Sequence, residues 1–164
     1  MNLPAPDPKD YMPTAESPEE IRRKIFRLQD VLTNHKDKFD DVECPVTHHF
    51  APGLYAREMF IPQDALVVGK IHKHAHVNTI SQGRVLVTTE HDGVEEFTAP
   101  YTFVSKPGTK RAVLALEDTI WTTYHPTEEQ DLEKIENHVI APTYDDYEQF
   151  RLEQDEQLQI EDNS

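Results

Sequence analysis

Apolar residues Ile21, Ile25, Leu28 and Leu32 recur at spacings of three and four, which places them on one stripe of a helix. The segment Ser17-Pro18-Glu19-Glu20 supplies its start: a serine at the N-cap, proline at the first helical position and Glu20 placed for a capping box. The pattern predicts a helix from here to Leu32 or Thr33, with a stripe that needs either the outside of the folded domain or a second subunit as its partner. From Pro45 to Tyr124 the texture changes to short runs rich in Val, Thr, Ile, Phe and Tyr, punctuated by Gly and Pro. That texture predicts strands near 54–61, 65–75, 77–81, 84–90, 94–98, 101–105, 111–116 and 119–125. His91-Asp92-Gly93 marks the clearest hairpin, because an Asp-Gly pair accepts the positive φ of a tight turn. His48 and His49 are assigned to a loop.

Beyond Pro126 the periodicity is helical again and strongly acidic. Thr127 followed by Glu128 and Glu129 predicts a short helix near 128–138, and the stretch from Tyr144 to Ser164 reads as a partly helical or disordered acidic tail. At the other end, Pro4, Pro6, Pro8 and Pro13 predict an extended arm over 1–16 that can be removed without unfolding the rest. The organisation is therefore an arm at 1–16, a helical segment at 17–40, a β-domain at 45–126 and an acidic tail at 127–164. With 164 residues the chain suffices for one domain plus extensions.

Charge narrows the partners. A formal net charge of −15 argues against a general nucleic-acid binder, whose affinity comes from clustered Lys and Arg, and the acidic tail offers a surface for a protein partner. No apolar run approaches the roughly 20 residues of a membrane span. A single cysteine, Cys44, excludes an internal disulfide, and the N-terminus has neither a basic region nor an apolar core of a secretion signal, so a cytoplasmic protein is expected. An amphipathic helix beside a small domain with sheet edges predicts a homo-oligomer.

The chemistry concentrates at Gly69-Lys70-Ile71-His72-Lys73-His74-Ala75-His76. On one extended strand, His72, His74 and His76 share a face and can present imidazoles to one divalent ion, Fe, Mn, Ni or Zn; a solvent-facing edge and a metal-free hydrogen-bonded pocket are the alternatives. His125 joins the set if its strand faces the trio. Arg111, with Lys70, suits an anionic ligand, and Tyr101 is a candidate platform at the start of a strand; a salt bridge to Glu117 is the competing reading for Arg111.

These residues resemble the cupin superfamily. Its first motif ends in a Glu, six residues and a Gly; here Val77 to Gln82 separate His76 from Gly83, so His76 stands at the Glu position, His72 at the second His and Lys70 at the first. Lys106-Pro107-Gly108-Thr109-Lys110-Arg111 approximates the second motif, with Arg111 in place of its metal-binding His. The resemblance, over about 50–126, implies a mainly β fold: one jelly-roll barrel with a short N-terminal helix and an acidic, partly helical tail. More narrowly, the strings from Gly69 to Arg111 and Leu116 to His125 resemble small cupin-like proteins of tailed bacteriophages, which implies a phage origin, a host-cytoplasm or virion location and no settled activity. The resulting expectation is a binding or accessory protein, with or without metal. A metal-dependent oxygenase, isomerase or hydrolase acting on a small anion is the first alternative, and a virion structural or assembly factor the second.

Overall fold

The computed structural model describes residues 16–34 and 42–163, so the proline-rich arm lies outside the described residues except for its last position. Helix α1 spans Pro18–Asn34. Its N-terminus forms as the capping box requires, with the Glu20 amide donating to Ser17 Oγ and the Ser17 amide to the Glu20 carboxylate at 2.9 Å. The predicted stripe finds its partner within the chain, since Ile25 is buried, Arg22 pairs with Glu90, and Lys110 donates to Gln29 Oε1 at 2.6 Å.

Ten strands follow: β1 Val46–Ala51, β2 Leu54–Ile61, β3 Leu66–Val68, β4 Ile71–His72, β5 His76–Gln82, β6 Arg84–Thr89, β7 Gly93–Thr98, β8 Tyr101–Ser105, β9 Arg111–Ala115 and β10 Thr119–Pro126. After them come α2 Leu132–Val139, β11 Ile140–Ala141 and α3 Tyr144–Asp162. The strands form a five-stranded sheet in the order β1-β2-β10-β5-β8 and a four-stranded sheet in the order β3-β9-β6-β7, with β4 and β11 pairing as a separate ribbon. Every pairing is antiparallel. The chain passes repeatedly from one sheet to the other, from β2 to β3, β5 to β6, β7 to β8, β8 to β9 and β9 to β10, which is the winding of a jelly roll. The two large sheets share no ladder among the described residues, so they form a sandwich rather than a closed barrel.

Alternation along the strands builds the core. In β6 the burial alternates, sending Val85 and Val87 inward, and these meet Ile80, Val113, Ala115, Ile61 and Trp121 between the sheets. Each such aliphatic side chain withdrawn from water contributes roughly 1.5–3 kcal/mol.

The structure revises three sequence expectations. Residues 46–51 are a strand, so His48 and His49 stand in β1 and not in a loop. The run 65–75 is not one strand: it breaks into β3 and β4, and residues 73–74 are a bend. The cause is pairing, because His72 lies opposite Ile140 of the small ribbon whereas His76 lies opposite Ser105 of the large sheet, and the chain must change partners between them. The short helix expected near 128–138, lastly, begins at Leu132 with Asp131 at its N-cap, while the expected helical tail is present as α3 from Tyr144, started by a Thr143–Asp146 capping box. Its first turns lie on the domain: a Cβ on Gly108 would stand 2.4 Å from the Tyr147 ring, so the absent side chain lets α3 approach the 107–108 turn.

Candidate functional site

The inward residues of the five-stranded sheet are ordered in rows by strand register. At the bottom Val46, Met59 and Trp121 face one another across β1, β2 and β10, and Ile80 continues the row on β5. One row higher stand His48, Arg57, Thr123 and Asn78. Above these Tyr55 lies opposite His125, and the His76 ring lies 5.5 Å from that of His125. Strands β3 and β9 bring Val67, Arg111 and Val113 to the far wall, β4 brings His72, and α2 closes the top with Ile135 and Val139. Together they line a half-open cavity of about 500 Å³, a volume suited to a small ligand.

Three imidazoles meet in it. The His72 ring lies 4.1 Å from His76 and 5.3 Å from His125. Burial, then the neighbouring His76 and His125, then Arg111 and Arg57 hold His72 down to about 2; burial, His76 and Arg57 hold His125 down to about 4. Burial and Arg111 lower His76 as well, against the carbonyl of His74 that its Nδ1 meets at 3.1 Å. The rings are therefore neutral at pH 7, each with one donor and one acceptor nitrogen. Among the described residues His72 Nδ1 is buried without a hydrogen-bond partner.

Arg111 is held from three sides. Its stem lies against Gly69, where a Cβ would stand 3.2 Å from Cγ, and its guanidinium lies 5.6 Å from the Trp121 ring and 5.9 Å from Phe103. Its Nη2 donates to Ser105 Oγ at 2.5 Å, and burial pulls it down to about 10, still fully charged at neutral pH. Among the described residues no acid stands within ion-pair distance of Arg111, nor of Arg57 on the opposite wall. Glu117, the competing partner in the sequence, faces Arg84 at 3.6 Å instead.

Several of the other polar groups bond one another. Asn78 Oδ1 accepts from Trp121 Nε1 at 3.0 Å and from Thr123 Oγ1 at 3.2 Å. Its Nδ2 donates to Ser105 Oγ at 2.8 Å and to the His76 carbonyl at 3.3 Å. His48 Nδ1 and Tyr55 Oη are bonded at 2.8 Å.

Of the sequence-predicted residues, the structure brings together His72, His76, His125 and Arg111, with Lys70 at the rim in an ion pair to Glu136 of α2. His74 turns away: it is exposed, its ring 5.2 Å from His138 and edge-on to Phe150 at 5.3 Å. Tyr101 is also outside, stacked on the edge strand with Phe97 and Phe103 at 4.7 and 5.4 Å. Sequence reasoning missed Arg57, Asn78, Tyr55 and His48. The alternation Tyr55, Arg57, Met59, Ile61 carried the signal for the first of these, since all four occupy one face of β2.

Three neutral imidazoles, one with an orphaned nitrogen, are chemically suited to a first-row divalent ion. Their placement is less so. The planes lie within 27–36° of one another, and among the described residues no set of three His, Cys, Asp or Glu side chains converges on a common point for a metal. Two guanidiniums facing the same space also oppose a bare cation.

No protein-family model and no curated protein matches the chain. Solved structures are similar in part. A cupin superfamily protein of Desulfitobacterium hafniense is 8% identical with a TM-score of 0.45, over 56% of this chain and 84% of its own. KdgF of a Halomonas species is 20% identical with a TM-score of 0.43, over 56% and 92%. An RmlC-like cupin family protein of Methanocaldococcus jannaschii, with a double-stranded β-helix fold, is 12% identical with a TM-score of 0.43, over 54% and 85%. None of these three is described as a phage protein.

Proposed function

We propose that this protein is a cupin-type binding or accessory protein whose cavity receives a small anion. One observation carries the reading: Arg57 and Arg111 line one half-open cavity, and among the described residues no acid stands within ion-pair distance of either, the Glu136 carboxylate of the lining being paired with Lys70. Arg23 and Arg27 of α1 also lack an ion-pair partner among the described residues, but they stand exposed to water, whereas Arg57 and Arg111 face the cavity. An enclosed cation is costly unless compensated, and a ligand carboxylate that takes the Arg111 fork supplies the compensation. The neutral imidazoles of His72, His76 and His125 can then donate to the ligand or accept from it. A reaction at this site would use the same anchor, with an imidazole as the proton acceptor.

The second reading places a divalent metal on His72, His76 and His125, supported by the orphaned His72 Nδ1 and by the neutrality of the rings.

Thermal melting of untagged protein against acetate, benzoate, malonate and phosphate tests the first reading. At least one anion should raise Tm in wild type, as preferential binding to the folded state requires, and should leave Arg111→Met unmoved. No shift by any anion sinks it. Elemental analysis after supply of Mn, Fe, Ni or Zn tests the second, with His125→Ala expected to lose any metal the wild type holds.

A further inference from the structure

The rows of the cavity bear on what kind of acid fits, and the answer rests on the anion-binding reading above. Arg57 is in register with Thr123 and Asn78, whereas Arg111 bonds Ser105, which lies opposite His76, and sits over the Trp121 ring, so the cationic layer lies between the imidazoles and the Trp121 floor. Below it the floor is Met59, Ile61 and Trp121, with Val67 and Val113 on the far wall; the ceiling above the imidazoles is Ile135 and Val139 of α2. A ligand that sets its carboxylate at the arginines must therefore put the rest of its body against hydrocarbon.

A polyhydroxylated acid finds little there to bond. Each hydroxyl carried into the cavity leaves water and needs a partner, and each left without one costs a large part of the affinity. Asn78 has both amide hydrogens and its carbonyl oxygen engaged, Ser105 Oγ accepts from Asn78 and Arg111 and keeps one hydrogen to donate, and Tyr55 takes one of the two His48 nitrogens. Beyond the arginines, the polar atoms left are the imidazole nitrogens, the Ser105 hydroxyl hydrogen and His48 Nε2, with Thr109 and the Lys70–Glu136 pair also in the lining, too few to pair every hydroxyl of a sugar acid. We infer that the cavity selects a carboxylic acid with a hydrocarbon body, of about six carbons or an aromatic ring, and discriminates against sugar acids of the same length and charge.

Matched pairs make the test. Isothermal titration of the full chain with hexanoate and gluconate compares two monoanions of equal carbon count that differ in hydroxyls; adipate and glucarate do the same for dianions, and hexanamide is the uncharged control. Hexanoate or adipate should bind at least tenfold more tightly than its hydroxylated counterpart, and hexanoate at least tenfold more tightly than hexanamide. In Arg111→Met the preference for hexanoate over hexanamide should collapse; the wild-type ladder stands without that variant. Gluconate or glucarate binding as tightly as its deoxygenated partner overturns the selectivity and leaves the anion site intact. Hexanamide matching hexanoate, or no binding by any of the four acids, removes the anion site and the inference together.

Discussion

Two guanidiniums are set into this protein in opposite ways. Arg22 of α1 meets the Glu90 carboxylate through Nε and lies over the Tyr144 ring, its Cζ 3.6 Å from the centroid. The cation, a nearly inaccessible carboxylate and an aromatic face close one another off, joining α1, the end of the β6–β7 hairpin and α3. Arg111 has aromatic faces too, but among the described residues its only side-chain hydrogen bond is to a neutral hydroxyl, and it faces a cavity. An arginine that is part of the architecture brings its counter-charge with it. One that waits for a ligand is anchored by neutral groups and leaves the charge unanswered.

The largest expected effect tests the first half of that contrast. In Arg22→Ala the Glu90 carboxylate, 1% exposed on its side chain, loses its cation and among the described residues keeps only His91 Nε2 at 3.5 Å from Oε1. Breaking a buried pair by removing one partner costs about 3–5 kcal/mol, because the surviving charge stays buried. Urea denaturation should show that loss, and Arg22→Ala with Glu90→Leu should recover much of it by removing the orphan as well. A single mutant as stable as wild type would falsify the structural role.

Acid comes next. His72 and His125 are held below the ordinary histidine value of 6.5, to about 2 and about 4, so between these values the unfolded chain takes up protons that the folded one refuses. Their contribution is complete above pH 6.5 and is lost as pH falls, down to about 4 for His125 and further for His72. At pH 5.5 each should cost roughly 1 kcal/mol, at about 1.4 kcal/mol per pH unit. Denaturation curves of chelator-treated protein at pH 7.5 and 5.5 measure this, with His125→Gln expected to flatten the dependence. An unchanged slope in that variant would mean that other groups carry it.

How much of this could be read from the chain follows from which interactions are local. The α1 boundaries, the Asp92-Gly93 hairpin and the strands around it depend on caps, turn residues and alternation, and sequence carries all three. The convergence of His72 with His76 was legible as a spacing, but its cause was not. The strand ends at His72 because residue 72 pairs with Ile140, nearly seventy positions away, and that same break sends His74 outward. Arg57 was invisible as a site residue because nothing near it in sequence shows that its face of β2 looks across at Arg111. The phage likeness, carried by short strings, gains no support from the similar structures. Helix α3 was read as a polar tail because its few apolar residues cannot form a core, yet Thr143 and Asp146 give it a capped start.

The smallest expected effect on stability belongs to Arg111→Met, and it is the sharpest test of the contrast. Because no carboxylate depends on Arg111, its removal orphans no charge, and Ser105 Oγ keeps the Asn78 amide as a donor at 2.8 Å. Methionine is long and flexible enough to follow the arginine stem past Gly69 and rest beside Trp121. Replacing an enclosed ion by an apolar side chain of similar length is neutral or stabilising in many proteins, since the desolvation penalty disappears with the charge. The ligand-free variant should therefore unfold within about 1 kcal/mol of wild type, or later than it, in the same urea experiment that finds Arg22→Ala severely weakened. The methyl group would fill space that a ligand carboxylate needs, so the anion response should vanish while the fold persists. A loss of stability comparable to that of Arg22→Ala would show instead that Arg111 binds the two sheets together through Ser105, Phe103 and Trp121, making both arginines structural and leaving the cavity without its anchor.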